Sequence, residues 1–160
     1  MVLDVGMDKK LQELMDREEI RDLVNRFSSY EDRRMWDEAA DCFTEDGVFD
    51  ETAVDGPLSV GREQIRSFFK DKVDVEMTFL AHYATGHLIT EQNENEAKGL
   101  FNVFFEGGLR DGTVVKVHSY LEDTYARVDG KWLFKSHKVV LLAPRQFTKP
   151  SSDAATEATT

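Results

Sequence analysis

Helix-forming and strand-forming segments are segregated along this chain, and that order limits the folds open to it. Residues 8–31 contain neither Gly nor Pro, and Ile20, Leu23, Val24 and Phe27 recur at helical spacing, which predicts one long helix with a core-facing stripe. Leu11, Leu14 and Met15 form an earlier apolar patch roughly opposite that stripe. The mismatch predicts either a bend near residues 16–19 or a first segment packed on another surface, such as a second subunit. Residues 35–43 read as a short helix burying Trp36, Ala39, Ala40 and Phe43, stopped by Thr44-Glu45-Asp46-Gly47 with Gly47 in the turn. Val48 and Phe49 read as a short strand, and residues 61–72 as a third helix carrying Ile65, Phe68 and Phe69.

Everything beyond reads as β. Strands are expected over residues 78–85, 88–91, 97–105, 114–128 and 132–142, punctuated by Gln92-Asn93-Glu94-Asn95, Gly107-Gly108, Asp111-Gly112 and Asp129-Gly130. Asp129-Gly130 is the strongest hairpin signal among them. Three N-terminal helices followed by long antiparallel strands make an α+β domain. A strongly curved, mostly antiparallel sheet wrapped against the long helix encloses a pocket suited to a small apolar molecule. With 160 residues there is room for one core, so residues 1–146 are expected as a single domain. Residues 147–160 have almost nothing to bury and read as a disordered tail.

Charge and cysteine usage narrow the setting. A net charge of −11 repels phosphate backbones and anionic membrane faces, which excludes nucleic acid and membrane as partners. The single cysteine, Cys42, allows no internal disulfide and fits a reducing cytoplasm; its apolar neighbours make it a packed thiol. No apolar run is long enough to span a bilayer or to act as a signal segment, so a cytoplasmic protein is expected. The four histidines show no metal-ligand spacing, so neither a metal nor another cofactor is assigned.

Two stretches carry the chemistry. Asp32 lies in Ser-Ser-Tyr-Glu-Asp-Arg-Arg-Met-Trp-Asp, residues 28–37, where the long helix closes, and His82 lies in Leu-Ala-His-Tyr-Ala-Thr-Gly-His, residues 80–87, where the strands begin. Taken singly, Asp32 reads as a helix-terminal carboxylate paired with Arg33 or Arg34, and His82 as a hydrogen-bonded core residue. Together with the order of elements they resemble the SnoaL-like branch of the NTF2-like, or cystatin-like, superfamily, over residues 8–143. The pattern is nearest to the scytalone dehydratases, the bile-acid 7α-dehydratases and the lindane dehydrochlorinase. Asp32-x-x-x-Trp36-Asp37 is similar to the helix end of those lyases, and His82-Tyr83 followed by Gly86 to their central strand. The resemblance implies that Asp32 orients His82 and holds a positive charge on it, making the imidazole a base near neutral pH. It also implies a homodimer or homotrimer.

The resemblance is incomplete at its edges. Phe101 stands near the second histidine of the scytalone dehydratases, Phe27 at the lysine of the dehydrochlorinase, and Arg127 near its late-strand arginine. Tyr30 either donates to a substrate oxygen or closes the helix against the sheet. Alternation along residues 114–128 turns Ser119 and Leu121 inward and His118 outward, while Asn102 faces either the cavity or the surface. His87 and His137 read as surface groups. Phe27, Phe49, Phe101 and Leu121 are the candidate pocket lining. The expected function is a cofactor-independent lyase or isomerase of a small apolar ring compound, such as a polyketide, steroid or aromatic precursor. Tyr30, Ser119, Asn102 and Arg127 are candidates to orient it. Two alternatives stand beside it: a non-catalytic ligand-binding or assembly subunit like the dioxygenase β subunits, and hydration of the epoxide-hydrolase kind.

Overall fold

The computed structural model describes residues 5–150. Helix α1 (Val5–Asp32) is followed by α2 (Trp36–Asp41), β1 (Phe43–Asp50), a 3₁₀ turn (Thr52–Val54), β2 (Leu58–Val60) and α3 (Arg62–Phe68). After α3 come a π-helical turn (Phe69–Val73) and α4 (Asp74–Glu76), and then β3 (Met77–Gln92), β4 (Glu96–Leu109), β5 (Val114–Val128), β6 (Lys131–Leu141) and β7 (Gln146–Thr148). The strands form one α+β sheet in the order β2-β1-β6-β5-β4-β3. It is mixed: β1 runs parallel to β6, and the other pairings are antiparallel.

Curvature comes from irregular pairing. Register shifts interrupt β3 against β4 at Thr85/Leu88 and Ile89/Glu91, and β5 against β6 at Thr124/Tyr125. Each extra residue increases local twist and bends the strand. Gly86 supplies a positive φ of 69° at the first of these sites, so the two strands expected over 78–91 form one bent strand. The sheet closes on the α1 face of Ile20, Leu23, Val24 and Phe27, all at most 3% exposed. Phe27 is the hub of this core, with ring centroids 5.4 Å from Phe43, 6.0 Å from Phe49 and 5.3 Å from Phe134.

Several local expectations need correction. Helix α1 runs without interruption through residues 16–19, which removes the bend of the two alternatives, and Leu11, Leu14 and Met15 are exposed on it. Phe43 belongs to β1, not to α2, because its pairing opposite Phe134 and the Phe134 N–H donated to the Cys42 carbonyl (2.9 Å) draw it into the sheet. Gly47 therefore lies inside β1, where the register shifts. Gly107 and Gly108 form no turn: they pair with Leu80 and Phe79 within the sheet. Added side chains there would strike Met77, Phe105, Thr78 and Phe79. The turn is made by Asp111-Gly112, with Gly112 at φ 83° and the Thr113 N–H donating to Asp111 Oδ1 at 2.9 Å. Finally, the tail expected from residue 147 starts with structure. Phe147 and Thr148 lie in β7, which takes up the part of β5 that β6 leaves unpaired. Residues 151–160 of that tail lie outside the described residues.

Candidate active site

The end of α1 is set by its backbone. Arg34 adopts a left-handed φ of 58°, its N–H donates to the Glu31 carbonyl (3.0 Å), and the Met35 N–H donates to the Tyr30 carbonyl (2.8 Å). These are the paired bonds of a Schellman stop, which satisfies the last carbonyls and turns the chain sharply. The Arg34 guanidinium then reaches across the fold, donating to Asp74 Oδ1 (2.7 Å) and to the Met77 carbonyl at the start of β3 (2.5 Å). Trp36 Nε1 donates to the same Asp74 oxygen at 2.9 Å. Arg34 thus pairs with Asp74 rather than with Asp32, and it clamps the helix end beside β3.

That clamp leaves Asp32 facing an unpaired strand edge. β3 is the last strand of the sheet, so alternate N–H groups on it have no strand partner. The His82 N–H fills this role, donating to Asp32 Oδ1 and Oδ2 at 3.1 Å each. The His82 ring places Nδ1 2.6 Å from Asp32 Oδ1. A carboxylate only accepts, so Nδ1 carries the proton and Nε2 is the basic nitrogen. Nε2 lies 3.8 Å from Glu31 Oε2, and Phe105 packs against the ring with centroids 4.7 Å apart.

His82 opens into a cavity of about 360 Å³ lined by α1, the π-helical turn and the inner face of the sheet. Phe27, Phe49, Phe101 and Leu121 all line it, as does the buried Ser119, whose hydroxyl donates to the Val103 carbonyl at 3.3 Å. Polar groups on the wall include Ser28, Glu31, Glu51, His82 and His137, with Lys72, Asp55, Glu76 and Arg145 at the rim. Phe147 of β7 also lines the rim, so part of the expected tail helps close the cavity.

Three orienting candidates lie elsewhere. Tyr30 does not line the cavity; it packs half-buried against the core. Asn102 is exposed on the outer sheet face, beside Tyr83, Phe104 and His118, because alternation turns it away from its inward neighbours Phe101 and Val103. Arg127 is held outside the cavity by an ion pair with the buried Asp16 and by the Trp132 ring 4.8 Å beneath its guanidinium. Nor are His87 and His137 surface groups. His87 Nε2 lies 3.0 Å from the Tyr125 hydroxyl, and His137 is 5% exposed.

The least exposed carboxyls of the cavity are Glu31 and Glu51, and sequence reasoning passed over both as cavity groups. Glu31 had a signal, since it lies one helical turn beyond Phe27 on the same face. Burial raises the Glu31 pKa against the lowering charges of His82 and His137. Burial, and then the charge of Glu31, pushes Glu51 up to about 7. For His82 burial acts downward, but the charge of Glu31, the hydrogen bond and charge of Asp32, and Glu51 outweigh it, and the net shift is upward. The site therefore gathers an oriented base and two carboxyls whose pKa values burial raises, that of Glu51 to about 7, among apolar walls. Among the described residues, no three His, Cys, Asp or Glu side chains cluster as a metal site. No described helix is long and apolar enough to cross a membrane.

A curved sheet closed by a long helix around a lined cavity is the NTF2-like, cystatin-like architecture. Within it the chain belongs to the SnoaL-like domain family, whose profile matches residues 12–138. Among solved structures it is similar to a protein from Novosphingobium aromaticivorans assigned as an aromatic ring hydroxylase, at 29% identity and a TM-score of 0.80 over 84% of this chain and 94% of that one. It is also similar to a type 2 hexachlorocyclohexane dehydrochlorinase, at 19% identity and a TM-score of 0.77 over 89% and 94% of the two chains. A protein assigned as a scytalone dehydratase, also from N. aromaticivorans, shares 20% identity at a TM-score of 0.73 over 91% and 92%. No curated protein matches the chain.

Proposed function

We propose that this chain is a cofactor-independent lyase or isomerase that removes a proton next to a carbonyl in a small, largely apolar ring compound. The observation that carries the reading is the His82–Asp32 contact of 2.6 Å, with the other ring nitrogen at a cavity wall. A base in that setting acts without competing water, and the imidazolium it becomes is stabilised by charges already in place. His82 Nε2 takes the proton, Asp32 keeps the ring oriented and balances its charge, and Ser119 serves a substrate oxygen once its hydroxyl turns from the Val103 carbonyl. The enolate then either expels a leaving group or regains a proton at another carbon. Family membership supports a lyase, as do the names of two structural neighbours, a dehydrochlorinase and a protein assigned as a dehydratase, both eliminating enzymes.

The test is a histidine titration by NMR in the parent and in Asp32→Asn, with His82→Gln to assign the signal. The parent His82 should titrate above an ordinary imidazole, and Asp32→Asn should lower it. The charge-assisted hydrogen bond lost is worth about 1.5–3 kcal/mol. Proton exchange catalysed at His82 should fall by about 10- to 100-fold. A His82 that titrates like a free imidazole and ignores the substitution refutes the base assignment and leaves a ligand-binding subunit as the better reading. The exposed Phe79, Tyr83 and Leu88 on β3, with Leu142 after β6, support a homodimer or homotrimer. Light scattering of the purified protein decides that point, and a monomer would refute it.

A further inference from the structure

Two carboxyls face the cavity without a counter-charge of their own. Each imidazole on the wall has its aspartate: His82 Nδ1 lies 2.6 Å from Asp32 Oδ1, and His137 Nδ1 lies 2.8 Å from Asp123 Oδ1. A proton taken up by either ring is therefore matched already. At the rim Arg145 is paired with Asp55, while Lys72 and Glu76, both exposed, cancel in sign. Glu31 and Glu51 are left over. The Glu31 side chain is 9% exposed and lines the cavity, and its 3.8 Å approach to His82 Nε2 is beyond hydrogen-bond reach. Among the described residues neither carboxyl accepts a hydrogen bond. A buried carboxylate without a partner is costly, and the two also repel each other: after burial, the Glu31 charge is the next cause that lifts Glu51.

We propose that the ligand of this cavity carries a protonated amine on its apolar ring framework, and that the Glu31 carboxylate holds the ammonium. As a statement about substrate this rests on the lyase reading above and narrows it to amino-substituted ring ketones, whereas the cation site itself is tested without turnover. Charge and surroundings both fit. A net charge of −11 draws cations toward the molecule. Phe27, Phe49, Phe69, Phe101 and Phe105 line the cavity, and a phenyl face attracts an ammonium while burying the hydrocarbon that carries it. Phe27 lies one helical turn before Glu31 on the same face of α1, so ring and carboxylate are presented together. An anion meets repulsion from the surplus carboxylates, and a neutral ligand leaves them unpaired, so the selection is by charge. Cation binding also bears on the base. Against burial, the charge of Glu31 is the largest cause that strengthens the hold of His82 on its proton, followed by Asp32 and Glu51. An ammonium on Glu31 offsets that charge and frees Nε2 to accept a proton, so the base is readied by the substrate it acts on.

Three probes that differ at the head group decide the matter: phenethylamine, phenethyl alcohol and phenylacetate, titrated into the full chain by NMR. The parent should bind the ammonium about 10-fold more tightly than the alcohol, the scale by which a charge-assisted hydrogen bond exceeds a neutral one. The carboxylate should bind more weakly than either. Glu31→Gln keeps the shape and removes the charge. It should bring ammonium and alcohol within about threefold of each other, with the alcohol at its parental affinity. Saturating amine should lower the His82 titration midpoint of the parent, and the alcohol should leave it in place. Where Glu31→Gln does not fold, pH replaces it. Lowering the pH carries Glu51 through its value of about 7 and Glu31 toward its own raised one, and protonation of His82 and His137 acts in the same direction. The ammonium preference of the parent should shrink accordingly. Equal binding of ammonium and alcohol by the parent overturns the proposal, as does binding of none of the three. A preference that survives Glu31→Gln, or that ignores pH, overturns it too. Those outcomes leave the His82 base standing, because it is judged by Asp32→Asn without ligand. A His82 that ignores Asp32→Asn refutes the lyase reading, and selective ammonium binding still upholds the cation site.

Discussion

Replacing Glu51 by Gln converts the electrostatics of the cavity into a stability measurement that needs no substrate. Glu51 is pushed from an ordinary 4.5 to about 7, first by burial and then by the charge of Glu31, with His82, His137 and Lys72 acting the other way. The folded protein therefore binds this proton more tightly than the unfolded chain. The stability that follows is fully present below about pH 4.5 and is lost as pH rises through about 7. At about 1.4 kcal/mol per pH unit, the displacement corresponds to about 3 kcal/mol. Gln has nearly the same shape and no charge to bury at any pH. Glu51→Gln should therefore match the parent at pH 4 and exceed it by up to about 3 kcal/mol above pH 8. Urea unfolding at half-unit steps of pH measures the difference. With slopes of about 1–3 kcal/mol per molar urea for small proteins, the midpoint should rise by about 1 M or more at the alkaline end. A difference between variant and parent that stays constant from pH 4 to pH 8.5 would show that Glu51 is solvated, and would refute the account of the cavity as a dry carboxyl site.

Phe27→Ala should cost about 3–5 kcal/mol in urea unfolding, because it empties the hub of the aromatic core, and Phe27→Leu should cost clearly less. Arg127→Ala should cost about 3–5 kcal/mol, since it strands the buried Asp16 carboxylate, yet leave the His82 titration unchanged, because Arg127 lies outside the cavity. A shift of the His82 signal in that variant would contradict this placement. Cys42 is buried, with its Sγ 3.4 Å from the Glu38 carbonyl, and burial pushes its pKa up to about 12. An aromatic disulfide reagent at pH 8 should label it only once urea unfolds the protein, and rapid labelling of the native state would count against that burial.

Much of the architecture was readable along the chain, because it rests on local chemistry. The Gly- and Pro-free run that becomes α1, its Ile20–Phe27 stripe and the Asp129-Gly130 turn follow from spacing and turn preference over neighbouring residues. So does the inward face of β5, where Val115, Val117, Ser119 and Leu121 all line the cavity. The approach of Asp32 to His82 was foreshadowed only through family resemblance, since nothing in the intervening fifty residues encodes it locally. What produces it is the Schellman stop at Arg34, the reach of its guanidinium to Asp74 and Met77, and the position of β3 as an edge strand with a free N–H. His137 shows the limit most clearly. Strict alternation from Trp132 and Phe134 points it to solvent, but the register shift between β5 and β6 at Thr124/Tyr125 reverses the parity and turns it inward opposite Asp123. Alternation is a property of one strand, whereas a bulge is decided by two. The sequence by itself therefore determined which elements form and which faces are apolar. Only the tertiary pairing, where strands must match twist and register, decided which histidines and carboxyls share the cavity.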